Sequence, residues 1–308
     1  MVKMKQNNYN GILIINKEKG FTSFDVVAKL RGILKQKKIG HTGTLDPDAT
    51  GVLVVLLGQA TKLSELLSSD TKVYTVGMRL GMTSDTDDIS GNVNESEHNP
   101  LSDMDSSNRS ILIEETVKSF VCEYMQLPPM YAAIKVNGRK LYEYARAGVE
   151  VERTPRKIRI FDISDIAVDY PDVSFNVYCS KGTYIRSLCR DIGEKLESGG
   201  LMTYLRRDVT GDFSIKDAFT LSEVESLVAD GTFEEKIIPI NDFLKDYPEY
   251  HIKPDCSKFL LNGNKLGYDS FTQDYEKKDK YIRVLCDDEL VALYEDTGTA
   301  LKPCKMFS

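Results

Sequence analysis

Hydrophobic positions along this chain follow two rhythms, and the switches between them outline its elements. Residues 11–16 begin with an apolar run of strand length, and residues 52–57, Val-Leu-Val-Val-Leu-Leu, are apolar throughout. Short runs without alternation predict strands buried in a core. Between them Phe24, Val27, Leu30, Ile33 and Leu34 recur at helical spacing, which predicts a helix over 23–36 with Ser23 as its N-cap. Residues 72–80 alternate instead, placing Tyr74, Val76 and Met78 on one face of a further strand.

The second half continues in mixed fashion. Residues 130–155 predict a protruding unit of strand, turn and helix, with Val136-Asn137-Gly138-Arg139 as a hairpin turn and Leu141, Tyr144 and Ala145 as the inner side of the helix. Strands are expected near 158–168 and 173–179, and helices over 183–196 and 221–229. No regular strand–helix–strand repeat emerges, so the expected class is α+β. Composition shifts after Asp246. Residues 247–250 suggest a linker, and the short apolar runs at 260–264, 281–285 and 290–294, with Gly turns, suggest a small β-domain over 247–308.

Charge divides the chain. The formal net charge is −7, yet residues 135–159 carry a local +5 and residues 83–115 a local −8. The acidic part of that second stretch, 83–108, is Asn-, Ser- and Asp-rich, which predicts a mobile surface loop that repels polyanions. The basic stretch is a candidate nucleic-acid contact despite the total, because distribution matters more than sum. Six scattered cysteines contain no Cys-x-x-Cys pair and lie far in sequence from the three histidines, so spacing favours free thiols over disulfides or zinc. The N-terminal residues lack a secretory apolar core, and no run of 18 apolar residues occurs, which points to the cytoplasm and away from a membrane.

The densest chemical signal is Gly40-His41-Thr42-Gly43-Thr44-Leu45-Asp46-Pro47-Asp48-Ala49-Thr50-Gly51. Glycines and a proline stiffen the loop around one acid, and the apolar run that follows anchors it. A carboxylate presented this way suits a nucleophile or general base; an Asx-turn that only caps its own backbone is the bland alternative.

That loop resembles the signature of the TruB family of tRNA pseudouridine synthases. Further segments follow in the family's order: Gly11 to Lys17 with Gly20-Phe21-Thr22-Ser23, then Lys72-Val73-Tyr74, then Gln126-Leu127-Pro128-Pro129-Met130-Tyr131, then Ser180-Lys181-Gly182-Thr183-Tyr184-Ile185-Arg186, then Leu205-Arg206-Arg207. The similarity spans roughly 10–245. It implies a pseudouridine synthase catalytic domain over 1–246, with a mixed, largely antiparallel sheet flanked by helices, and an RNA-contacting insertion about 127–157. The last 60 or so residues resemble a small PUA-like domain. By the same resemblance Asp46 is the nucleophile, Arg186 its cation, able to pair bidentately and lower the carboxylate pKa, and Tyr74 stacks on uracil, its hydroxyl helping to remove the C5 proton. Leu205 seals the pocket, His41 wedges into the RNA, and Lys17 supports the loop or meets phosphate. Glu18, where the family commonly has proline, departs from the pattern. Lys135, Arg139, Lys140, Arg146 and Lys181 are the expected RNA contacts; if the basic segment touches no phosphate, a second path along Lys181, Arg190, Arg206 and Arg207 is expected instead. The implied activity is isomerisation of uridine 55 in the T-arm of tRNA by a monomer, with no cofactor and no metal. A non-catalytic tRNA-folding protein using the same surface is the alternative.

Overall fold

The computed structural model describes residues 8–67, 71–277 and 279–307. The N-terminal residues that lack a secretory apolar core lie partly outside them. Along the chain run β1 (Gly11–Lys17), α1 (Ser23–Leu34), β2 (Ile39–Thr42), β3 (Thr50–Leu57), β4 (Thr71–Leu80), β5 (Met82–Ser84), β6 (Val93–Glu95) and α2 (Ser106–Lys118). There follow β7 (Glu123–Gln126), β8 (Lys135–Val136), β9 (Arg139–Lys140), α3 (Leu141–Arg146), β10 (Arg156–Asp169), β11 (Asp172–Ser180), α4 (Ile185–Lys195), β12 (Gly200–Thr210), β13 (Phe213–Ser214) and α5 (Leu221–Asp230). The C-terminal part holds α6 (Ile240–Phe243), β14 (Glu249–His251), α7 (Ser257–Leu261), β15 (Tyr281–Cys286), β16 (Glu289–Asp296) and β17 (Leu301–Met306).

One nine-stranded sheet, in the order β1-β3-β12-β4-β11-β10-β7, carries the molecule, with β2 paired to β3 and β13 to β12. All its ladders are antiparallel except β3 with β12. The apolar run of β3 has a simple cause: Leu53, Val55 and Leu57 face α1 and α5, while Val52, Val54 and Leu56 face Ala60, Leu63, Ile240 and Leu293. Both faces are covered, so alternation disappears. On β4, Tyr74, Val76 and Met78 pack with Ile113 and Val117 of α2 and Leu188 and Ile192 of α4.

Several expectations need correction. Helix α1 is capped by Thr22, whose side chain forms a capping box with Asp25. Ser23 is buried instead, its hydroxyl donating to Leu45 O at 3.3 Å and accepting from Leu45 N at 3.0 Å. Phe24 is 63% exposed, and Val26 takes its place on the buried stripe. The acidic stretch is structured: β5 and β6 form a hairpin, and Asp105 caps α2 by accepting from Asn108 N. Residues 247–250 are no linker, since Glu249–His251 is β14, in parallel register with β15, and Tyr250 is buried. Residues 260–264 lie at the end of α7 rather than in a strand. Strands β14-β15-β16-β17 form a separate four-stranded sheet, and Leu293 of β16 reaches back into the core around Ile12 and Val54.

Candidate active site

The loop between β2 and β3 is tied down from three directions. Lys17, fully buried at the end of β1, donates from Nζ to Pro47 O at 3.1 Å, Phe21 O at 2.6 Å and Glu18 O at 3.1 Å. It anchors the loop and is buried away from phosphate; burial lowers its pKa to about 8. The same contact holds the turn in which Glu18 replaces the family's proline. Ser23 grips Leu45 from α1, and Ala49 N donates to Asp46 O at 3.1 Å. A stiff scaffold therefore presents the Asp46 side chain, which remains 43% exposed.

Arg186 meets it from the first turn of α4. Its Nη2 lies 3.0 Å from Asp46 Oδ2, and its side chain is only 7% exposed. The fork is shared rather than bidentate on Asp46: Nη2 also donates to Tyr131 O at 2.9 Å, Nη1 donates to Thr86 O at 3.2 Å, and Nη1 lies 3.6 Å from Asp88 Oδ2. Burial raises the Asp46 pKa above its ordinary 3.8, the Arg186 charge pulls it down, and Asp88 pushes it up again, with a net rise. Desolvation thus outweighs the guanidinium, contrary to the expected lowering. One helical turn on, Arg190 binds Asp87 Oδ2 at 2.9 Å and Asp191 Oδ1 at 2.8 Å. Two consecutive acids of the stretch expected to repel RNA are therefore partners of α4. Gln126 fixes the start of that helix, accepting from Tyr184 N at 2.8 Å and donating to Tyr184 O at 3.1 Å.

Asp46, Arg186, Tyr74 and Leu205 come together around a chamber of about 170 Å³, walled also by Tyr131, Ala132 and Tyr184. Burial pushes the Tyr74 phenol up to about 12. Asp46 and Arg186 also line a wider cleft of about 580 Å³, with Tyr142 and Arg146 of α3 on its far side. The basic unit that contributes Tyr142 and Arg146 has the expected hairpin turn: Asn137 and Gly138 have φ of 50° and 83° between β8 and β9, and Lys135, Arg139 and Arg146 are exposed. Arg139 lies 5.2 Å from the Tyr144 ring centroid, and Lys140 and Arg146 lie 5.3 and 5.5 Å from that of Tyr142. Lys181 is exposed in the turn between β11 and α4, outside the chamber lining. His41 sits on β2 with its Nδ1 buried and unpartnered among the described residues, and burial together with Arg207 lowers its pKa. The second RNA path fails at Arg190, which is occupied by carboxylates, and at Arg207, which is buried; Arg206 pairs with Asp208 at 2.6 Å. Motif spacing missed Asp88 and the buried state of Arg207 and gave Tyr131 no role, because each matters only through contacts distant in sequence.

Residues 31–185 match the family model described as TruB family pseudouridylate synthase, N-terminal domain, and residues 186–254 match the tRNA pseudouridylate synthase B C-terminal domain. The chain belongs to the TruB family. It is a pseudouridylate synthase, and the two matched segments meet inside one sheet, since β12 of the second lies between β3 and β4 of the first. The tRNA pseudouridine synthase B of Clostridium kluyveri is 44% identical over 299 residues, covering 97% of this chain and 99% of that relative. The protein of that name from Bacillus subtilis is 40% identical over 298 residues, covering 95% and 91%. Among solved structures, a chain of a Cbf5-Nop10-Gar1 complex aligns with a TM-score of 0.69 at 27% identity, covering 97% of this chain and 85% of that one. A chain from an H/ACA RNP bound to a substrate RNA containing 2′-deoxyuridine aligns with a TM-score of 0.66 at 25% identity, covering 100% and 92%.

Proposed function

We propose that this synthase isomerises uridine 55 in the T-arm of tRNA in the cytoplasm, with Asp46 as the nucleophile. The observation that carries the proposal is Asp46 Oδ2 at 3.0 Å from a buried arginine, in a chamber walled by Tyr74 and Leu205. Relatives named tRNA pseudouridine synthase B over nearly the whole chain support tRNA as the substrate, and the family resemblance supports position 55.

The reaction breaks the N1–C1′ bond, turns the uracil and forms C5–C1′; the C5 proton leaves, N1 gains one, and oxidation states are unchanged. No cofactor chemistry is called for. The uridine must first leave its stack, at a cost of a few kcal/mol, which contacts of Lys135, Arg139, Lys140 and Arg146 with phosphates offset. Asp46 then attacks the flipped nucleoside, at C6 of the base or C1′ of the sugar. Partial desolvation makes this carboxylate a stronger nucleophile than one in water, and the Arg186 charge opposes the accompanying rise in pKa by favouring the ionised form. Tyr74 stacks on the uracil, a contact worth about 1–3 kcal/mol. With its phenol pushed up to about 12 it donates a hydrogen bond rather than acting as a base. Asp46 is the only carboxylate among the described residues lining the small chamber, so once released it accepts the C5 proton. Leu205 keeps solvent from that face.

The test is product mapping on an unmodified tRNA transcript. One pseudouridine at position 55, absent when that uridine is replaced by cytidine, is the expected result; product elsewhere, or none, contradicts the proposal.

A further inference from the structure

Arg207 lies on β12 across from Tyr74 of β4 on one side and Gly51 of β3 on the other. It is 1% exposed and pairs with no carboxylate among the described residues. A buried cation without an anion is costly, and an apolar side chain of similar size would serve packing better. The contacts it makes show what it does instead. Nε donates to Val52 O at 2.8 Å and Nη2 to Gly43 O at 2.8 Å, so one guanidinium grips the signature loop on both sides of Asp46. Two glycines of that loop accommodate it. A Cβ at Gly43 would stand 3.3 Å from Arg207 Nη1, and one at Gly51 would collide with the Arg207 carbonyl oxygen.

Arg207 also faces Tyr74 across the β12–β4 ladder, close enough for its charge to pull the phenol's pKa down against the burial that raises it. Guanidinium groups carry donors only. A guanidinium beside the phenol therefore favours the hydroxyl oxygen toward Arg207 and the hydroxyl hydrogen toward the chamber that Tyr74 shares with Asp46 and Leu205. We infer that Arg207 is a positioning residue for the isomerisation, clamping the Asp46 loop at both ends and aiming the Tyr74 hydroxyl hydrogen at the uracil. This role rests on the proposed parts of Asp46 and Tyr74. An Arg207 that merely held the loop together would leave the contribution of the Tyr74 hydroxyl untouched.

A double-mutant cycle on single-turnover pseudouridine formation, with enzyme in excess, separates the two. Arg207→Met is expected to slow the rate on the order of a hundredfold with tRNA affinity within about threefold, and adding Tyr74→Phe to cost no more than about a further threefold. Losses that multiply in the double variant overturn the inference, as does Tyr74→Phe at the wild-type rate, since the hydroxyl then has nothing to do. If melting curves show Arg207→Met unfolded, the cycle runs on Arg207→Lys, which keeps the buried charge but not the fork. The same non-additivity is expected there, and a wild-type rate in Arg207→Lys overturns the inference. Failure of the underlying site shows separately, as turnover by Asp46→Asn.

Discussion

Arg186 spends its donors on Asp46, Asp88 and the carbonyls of Tyr131 and Thr86. A lysine carries the charge but cannot span those partners from one planar group. Arg186→Lys should therefore lose nearly as much turnover as Arg186→Ala, and single-turnover rates of the two variants check this; a lysine enzyme at the wild-type rate would show that charge alone suffices. Asp46 makes a second prediction, about stability. Because its folded pKa is raised above the ordinary 3.8, the folded chain holds a proton that the unfolded chain releases in the window between those values. Ionising Asp46 thus costs stability as pH rises through that window. Removing the charge with Asp46→Asn should leave the melting temperature at neutral pH unchanged or higher, with the difference shrinking toward pH 3.8. A variant that melts lower at neutral pH would mean that the Arg186 contact outweighs desolvation. Asp46, Tyr74, Arg186 and Leu205 could be picked out from the sequence because each belongs to a motif. Asp88 could not, since its acidic neighbourhood resembles a solvated loop until α4 brings Arg186 to Asp88 and Arg190 to Asp87.

At the scale of elements, strand β12 shows where pattern falls short. Its Thr203, Arg206, Arg207 and Asp208 hide a central position in the sheet, because Arg207 is buried for the sake of its contacts rather than for its polarity. Strands β3 and β4 carry no such residues facing the core and match their apolar patterns, and β1 does so up to the buried Lys17 at its end. Ser23 misled as an N-cap for a similar reason, having been recruited by Leu45. The unit of β8, β9 and α3 makes the clearest prediction at this scale. Neutralising Arg139, Lys140 and Arg146 together should weaken tRNA binding and flatten its salt dependence by roughly 0.7–0.9 log units for each phosphate that the unit no longer neutralises. Filter binding across a salt series measures it; an unchanged slope would mean that the unit touches no phosphate. Deleting the acidic stretch, by contrast, would strip Arg186 and Arg190 of Asp88 and Asp87.

Across the whole molecule, the C-terminal sheet is bound into the fold. Leu293 packs in the core beside Ile12 and Val54, Lys62 Nζ donates to Met306 O at 2.6 Å, and Lys305 pairs with Glu65 at 3.2 Å. A chain ending at Asp246 should expose that face of β1 and β3, aggregating or melting lower by roughly ten degrees, where each kcal/mol is worth about 2–4 °C in a chain of this size. Unchanged melting would show the C-terminal sheet to be dispensable for stability. Composition pointed to a β-rich end but not to this attachment, which rests on single residues far apart in sequence. Net charge misled in the same way: the total of −7 conceals acids paired internally and bases left exposed on the unit of β8, β9 and α3.

On the proposed mechanism Asp46 performs the chemistry. Tritium release from tRNA carrying 5-³H-uridine, with wild type and Asp46→Asn each in excess over RNA, tests it most directly. The asparagine keeps the loop and should bind tRNA within about tenfold, or about 1.4 kcal/mol, of wild type. Wild type should release tritium to completion while the variant, bound to RNA, releases none; measurable release by bound Asp46→Asn would contradict the account.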